Sequence, residues 1–153
     1  MNDNRLIFLN QFSSEFTVQF SDNFFSATII NPIYSENITV KDEGYEFTVY
    51  FSFQHRHFAD EEDVIEWIRE VIAGDIFAIE FFSNENRHFG GEIDATELHD
   101  LSYEKLEKFT GYYGSTKLSS IANTFKVRAW NDQHNFDAEF VYDNNGYISI
   151  QKL

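Results

Sequence analysis

The clearest alternation in the chain runs from Tyr45 to Gln54, where Phe47, Val49, Phe51 and Phe53 are interleaved with Thr48, Tyr50, Ser52 and Gln54. A period of two places the first set on one face of a strand and the second on the other. The period changes directly after His55-Arg56-His57-Phe58. Val64, Ile65, Ile68, Val71 and Ile72 recur at helical spacing with Trp67 beside them, which predicts a helix over 60–73 that buries one wide stripe. Asp60 is placed to cap its free amides, the acids at 61–63 complement the positive end of the helix dipole, and Gly74 supplies a left-handed stop. Glu62, Glu66 and Glu70 stack at i, i+4 on the opposite side, where like charges cost about 0.2–0.5 kcal/mol per pair.

Elsewhere the pattern is mainly that of strands. Arg5 to Phe12 fits either helix or strand. Phe16 to Phe20 alternates, Ser21-Asp22-Asn23 turns, and Phe24 to Ile30 completes a hairpin. Asn37-Ile38-Thr39 reads as a loop entering a strand. Asp75 to Phe82 has almost no polar alternation, as expected of a central strand covered on both faces. A turn at 84–86 leads into Arg87 to Ile93, with a bulge expected at Gly90-Gly91. Asp94 to Glu97 has the form of a capping box, Ser102 opens a second short helix through Phe109, and Gly111-Tyr112-Tyr113-Gly114 ends it. The last third reads as a meander of 124–130, 136–142 and 147–152, the latter two joined by an Asn145-Gly146 turn.

The fold class expected is α+β in one domain, 1–153. It comprises a mostly antiparallel mixed sheet, one long amphipathic helix (60–73), one or two short helices (95–110) and a C-terminal three-stranded meander. The mixed character comes from the strand, helix, strand crossover at 45–82, which is expected to make its strands parallel neighbours.

Composition narrows the function classes. With 42% hydrophobic residues, 18 of them Phe, the chain lies outside the disordered class. The absence of cysteine excludes a disulfide scaffold, a thiolate zinc site and a cysteine nucleophile, and suits a reducing cytoplasm. No apolar run approaches a membrane span, and Met1 to Arg5 does not open a secretory leader. The abundance of Lys, Asn, Ile, Phe and Tyr suggests a low-GC bacterial gene. Charge is concentrated: fifteen of the 26 acidic residues lie between Asp60 and Glu107, opposed there only by Arg69, Arg87 and Lys105, so this block carries −12 of the net −15. Such a field repels nucleic acid and anionic membranes and favours a basic protein partner.

Two arrangements could carry function. Arg-His-Phe-x-x-Glu occurs twice, as Arg56-His57-Phe58 with Glu61 and as Arg87-His88-Phe89 with Glu92. A parallel crossover would bring both copies, with His55, to one rim at the carboxyl ends of the strands, where α/β sheets commonly bind ligands. His55-x-His57-x-x-x-Glu61 resembles the first metal motif of the cupin family over those seven residues, and the resemblance implies a metal-binding histidine pair. The glycine that follows the Glu in that motif and its second Pro, Gly and His motif are absent here, so neither metal nor cofactor is assigned. His99 and His134, in polar surroundings, read as surface or capping residues.

No phosphate loop, Gly-x-Ser-x-Gly elbow or His-Glu-x-x-His is present. The expected function is a small acidic intracellular binding protein. Its partner surface comprises Asp60, Glu61, Glu62, Asp63, Glu66 and Glu70, with Tyr112 and Tyr113 as aromatic anchors. It is similar in general type to bacterial immunity and antitoxin proteins. The alternative is a small hydrolytic or metal-dependent enzyme centred on His55, Arg56, His57, Arg87, His88 and Glu92.

Overall fold

The structure, a computed structural model, describes residues 3–84, 86–113 and 117–153, without the side chains of 87, 88 and 111–113. It is α+β, built on two five-stranded sheets. The first contains β1 (Thr17–Phe20), β2 (Ser26–Ile30), β3 (Ile38–Asp42), β4 (Phe47–Phe51) and β5 (Gln54–Phe58), paired in chain order. Helix α1 (Glu61–Ala73) then leads to β6 (Ile76–Ser83) and β7 (Asn86–Asp94). Short helices α2 (Ala95–His99), α3 (Tyr103–Leu106) and α4 (Leu118–Ile121) follow, and β8 (Thr124–Arg128), β9 (Phe136–Tyr142) and β10 (Ile148–Lys152) complete the second sheet in the order β10-β9-β8-β6-β7. An eight-residue 3-10 helix, Ile7–Ser14, precedes β1.

Every strand pair among the described residues is antiparallel, so the mixed sheet and its parallel crossover are not formed. The reason lies at Ser52. The alternating run 45–54 does not continue as one strand, because Phe51 pairs with Gln54 across a two-residue turn in which Ser52 takes a positive φ of 52°. Tight hairpins need such a conformation to match strand twist. His55-Arg56-His57 therefore belongs to an edge strand and not to a rim loop. Because β5 has already turned back along β4, α1 carries the chain from that edge to a different sheet.

Two apolar cores result. The inner face of the first sheet, with Val40, Val49 and Phe51, packs on Leu6, Leu9 and Phe12 of the N-terminal segment and on Val64, Trp67, Ile68 and Val71 of α1. Phe77, Ile79 and Phe81 of β6 join Phe125, Val127 and Phe140 beneath Tyr103, Leu106 and Leu118 in the second core. β6 links the two, since its intervening residue Ala78 belongs to the first core. Burial raises the pKa of the Tyr103 phenol, whose oxygen accepts the Ser119 N–H at 2.9 Å.

Local chemistry explains the element ends. At α1 the Gly74 N–H reaches Val71 O and the Asp75 N–H reaches Glu70 O, with Gly74 at φ 82°, the hydrogen-bond pair of a Schellman stop. Asp60 has cap geometry, yet its side chain makes no capping hydrogen bond, contrary to expectation. Asp94 does accept from the Glu97 N–H at 2.7 Å, and Ser102 from the Lys105 N–H at 3.3 Å.

The bulge expected at Gly90-Gly91 lies instead at His88, the residue skipped between the pairs Phe81–Phe89 and Phe82–Arg87. Gly91 has a different role. A Cβ there would stand 2.7 Å from the Phe109 ring, so the missing side chain lets that ring cover β7.

Candidate functional site

Helix α1 presents the most distinctive surface. Its apolar stripe faces the first core, which leaves Glu61, Glu62, Asp63 and Glu66 exposed and Glu70 at the margin. Among the described residues, none of these five carboxylates has an ion-pair or side-chain hydrogen-bond partner. The only base in the helix, Arg69, also borders this face but is not ion-paired to it: its guanidinium stands 4.8 Å from the Phe12 ring centre and donates to Gln11 Oε1 at 3.3 Å. An open groove of about 500 Å³ runs along this face, with Ile65 and Ala73 among its walls and Glu62, Glu66, Glu70 and Asp75 on its margins.

The rest of the acidic block is different. Glu97 pairs with Lys108, Asp100 with Lys105, and Glu107 accepts the Leu118 N–H at 3.1 Å. The Lys105 ammonium holds the Asp100 carboxyl below its ordinary pKa. The block is thus not one continuous acidic face. In its second half Glu97, Asp100 and Glu107 are tied up around the short helices, whereas the α1 carboxylates form no ion pair among the described residues.

Among the described residues, the two copies of the Arg-His-Phe motif meet through Arg56 and Glu92. Arg56 donates to Glu92 Oε1 at 2.8 Å, and the other oxygen of Glu92 accepts the Trp67 indole N–H at 2.7 Å. This joins β5, β7 and α1 beside a pocket of about 320 Å³ lined by Arg56, Phe58, Asp63, Glu66, Trp67 and Glu70. Strand alternation sends His55 and His57 to the opposite face of β5. There His57 Nδ1 lies 3.0 Å from Thr48 Oγ1 and 3.1 Å from Glu46 Oε1, with the His55 ring 5.3 Å away.

Of the rim expected of this motif, His55 and His57 thus lie on the opposite face of β5 from Arg56 and its partner Glu92. The side chains of Arg87, His88, Tyr112 and Tyr113 lie outside the described residues. Among the described residues, no three His, Asp or Glu side chains converge as a metal site. His99 is exposed, and His134 stands edge-on to Phe77 with centroids 6.4 Å apart.

Glu92→Ala removes the acceptor of an indole on a residue only 2% exposed. The expected cost is about 1–3 kcal/mol in urea unfolding. Arg56→Ala, at a half-exposed ion pair, is expected to cost less than about 1 kcal/mol. Equal losses from the two substitutions would mean that the ion pair, and not the indole contact, carries the corner.

Compared with known proteins, the chain matches no family model, no curated protein and no solved structure. Its functional reading therefore rests on its own residues. One such residue escaped the sequence reading: Glu80 is fully buried in β6, opposite Gly90 on β7 and Lys126 on β8. A lone acid inside Ile76–Ser83 is the signal that marks it, since a carboxylate in a covered strand is costly unless its charge is compensated. Phe25 and Tyr45, 51% and 81% exposed at neighbouring turns of the first sheet, were likewise hidden among core-like aromatics. Among the described residues no helix is long and apolar enough to cross a membrane.

Proposed function

We propose that this chain is an intracellular binding protein, with no reaction of its own, that captures a basic protein partner on the acidic face of α1. Immunity- and antitoxin-type inhibitors, which cover the basic active site of a toxin, are the class of protein it would resemble. The observation that supports this reading is the row Glu62, Glu66 and Glu70, which forms no ion pair among the described residues even though three lysines and arginines elsewhere neutralise acids of the same block. Stacked like charges weaken an isolated helix, whereas the same field accelerates encounter with a basic surface by about 10–10³ at low ionic strength. Tyr112 and Tyr113 are proposed from the sequence as aromatic anchors, and the cysteine-free composition suits a reducing cytoplasm.

Affinity capture from the native cell at low ionic strength, followed by a salt wash, tests the reading. A basic protein that is retained and then released by salt is the expected result. Capture that persists unchanged in high salt, or that is equal on a charge-reversed α1, would count against it.

A further inference from the structure

The groove on α1 has a shape as well as a charge. Along an α-helix, residues four apart form ridges, and helices pack by laying a ridge of one into the groove between two ridges of the other. On α1 one such ridge is Glu62, Glu66 and Glu70, and the next is Ile65, Arg69 and Ala73. The groove of about 500 Å³ is lined by both ridges and extends to Asp75. Successive carboxylates are spaced about 6 Å apart along the axis, and the row as a whole spans about 12 Å. One side of the groove is therefore anionic, and the other carries apolar surface at Ile65 and Ala73 on either side of Arg69, whose guanidinium lies over the Phe12 ring.

We infer that the partner element this groove accepts is an amphipathic helix. Its ridge of apolar side chains packs beside Ile65 and Ala73, and its Lys or Arg residues at i, i+4 and i+8 lie against Glu62, Glu66 and Glu70. The inference rests on the reading of α1 as a basic-partner surface and adds the conformation and residue spacing of what binds. Charge complementarity selects Lys and Arg, and the equal four-residue spacing of both ridges selects a helix over an extended segment. In a strand, same-face side chains recur about every 6.8 Å without a second, offset apolar row on that face.

Two synthetic peptides of identical Leu, Lys and Ala composition test this. In one, Lys falls at i, i+4 and i+8 beside a Leu ridge; in the other, the same residues are permuted around the helix. Binding to the full chain is read by calorimetry at low and high salt. The patterned peptide is expected to bind at least about tenfold more tightly than its permuted isomer, a difference of about 1.4 kcal/mol. Ala73→Gln, at an exposed position, is expected to remove most of that advantage without moving the melting temperature.

Equal, salt-sensitive binding of both peptides would overturn the helix inference and leave charge-driven capture intact. No binding of either would overturn both. An advantage that survives Ala73→Gln would place the apolar contact outside the groove and overturn the inference.

Discussion

Reversing Glu62, Glu66 and Glu70 together to lysine is expected to weaken the complex with a basic partner by about 100-fold or more at low salt. Each exposed ion pair contributes about 0.2–1 kcal/mol, and reversal replaces attraction with repulsion, so three sites remove about 3 kcal/mol. The loss is expected to shrink as salt rises, because exposed charges are screened over about 8 Å at physiological ionic strength. Folding is expected to change by no more than about 0.5 kcal/mol, since none of the three carboxylates has an ion-pair partner among the described residues. Calorimetry against the captured partner, with a urea titration of the variant alone, separates the two effects. An affinity within threefold of the parent protein would exclude α1 as the docking face.

Phe81→Ala is expected to destabilise the chain by about 3–5 kcal/mol. Phe81 is fully buried in β6, with its ring centre 4.9 Å from that of Phe89, 5.5 Å from Phe109 and 5.8 Å from Phe125. Removing it opens a cavity at the point where β6, β7, β8 and the short-helix layer converge. Against a typical total of about 5–15 kcal/mol, that is a large share of the stability. Binding through α1 should persist in the fraction that remains folded, because α1 packs on the other core. A loss below about 1 kcal/mol in urea unfolding would contradict the packing of the second core.

The second core, with its clustered Phe rings, stabilises. The α1 face contributes unspent charge.

The local pattern is most legible where one periodicity governs a segment. Burial of Phe47, Val49 and Phe51, and of Val64, Ile68 and Val71, follows from spacings the chain itself carries. Capping by Asp94 and Ser102 follows from side chains that reach amides only three residues away. The turn at Ser52 was not legible, because neither Ser52 nor Phe53 is among the Gly, Asn and Asp residues that usually signal a tight hairpin. That single omission merged β4 with β5, made the crossover look parallel and put on one rim His55, His57 and Arg56, which the β5 strand sends to opposite faces. The His88 bulge gave no signal for a related reason: its register depends on pairing with β6, and Gly90-Gly91 offered a more conspicuous but unrelated candidate.

The sequence by itself determined the α+β class, the faces of the most regular segments and the concentration of acid between Asp60 and Glu107, because all three are properties of near neighbours and composition. Tertiary structure decided the division into two antiparallel sheets, the contact of Arg56 and Trp67 with Glu92, and which acids are neutralised. Those outcomes depend on pairings between residues tens of positions apart. With Lys105 and Lys108 drawn to Asp100 and Glu97, and Arg69 to Phe12 and Gln11, the row Glu62, Glu66 and Glu70 is left without an ion pair among the described residues.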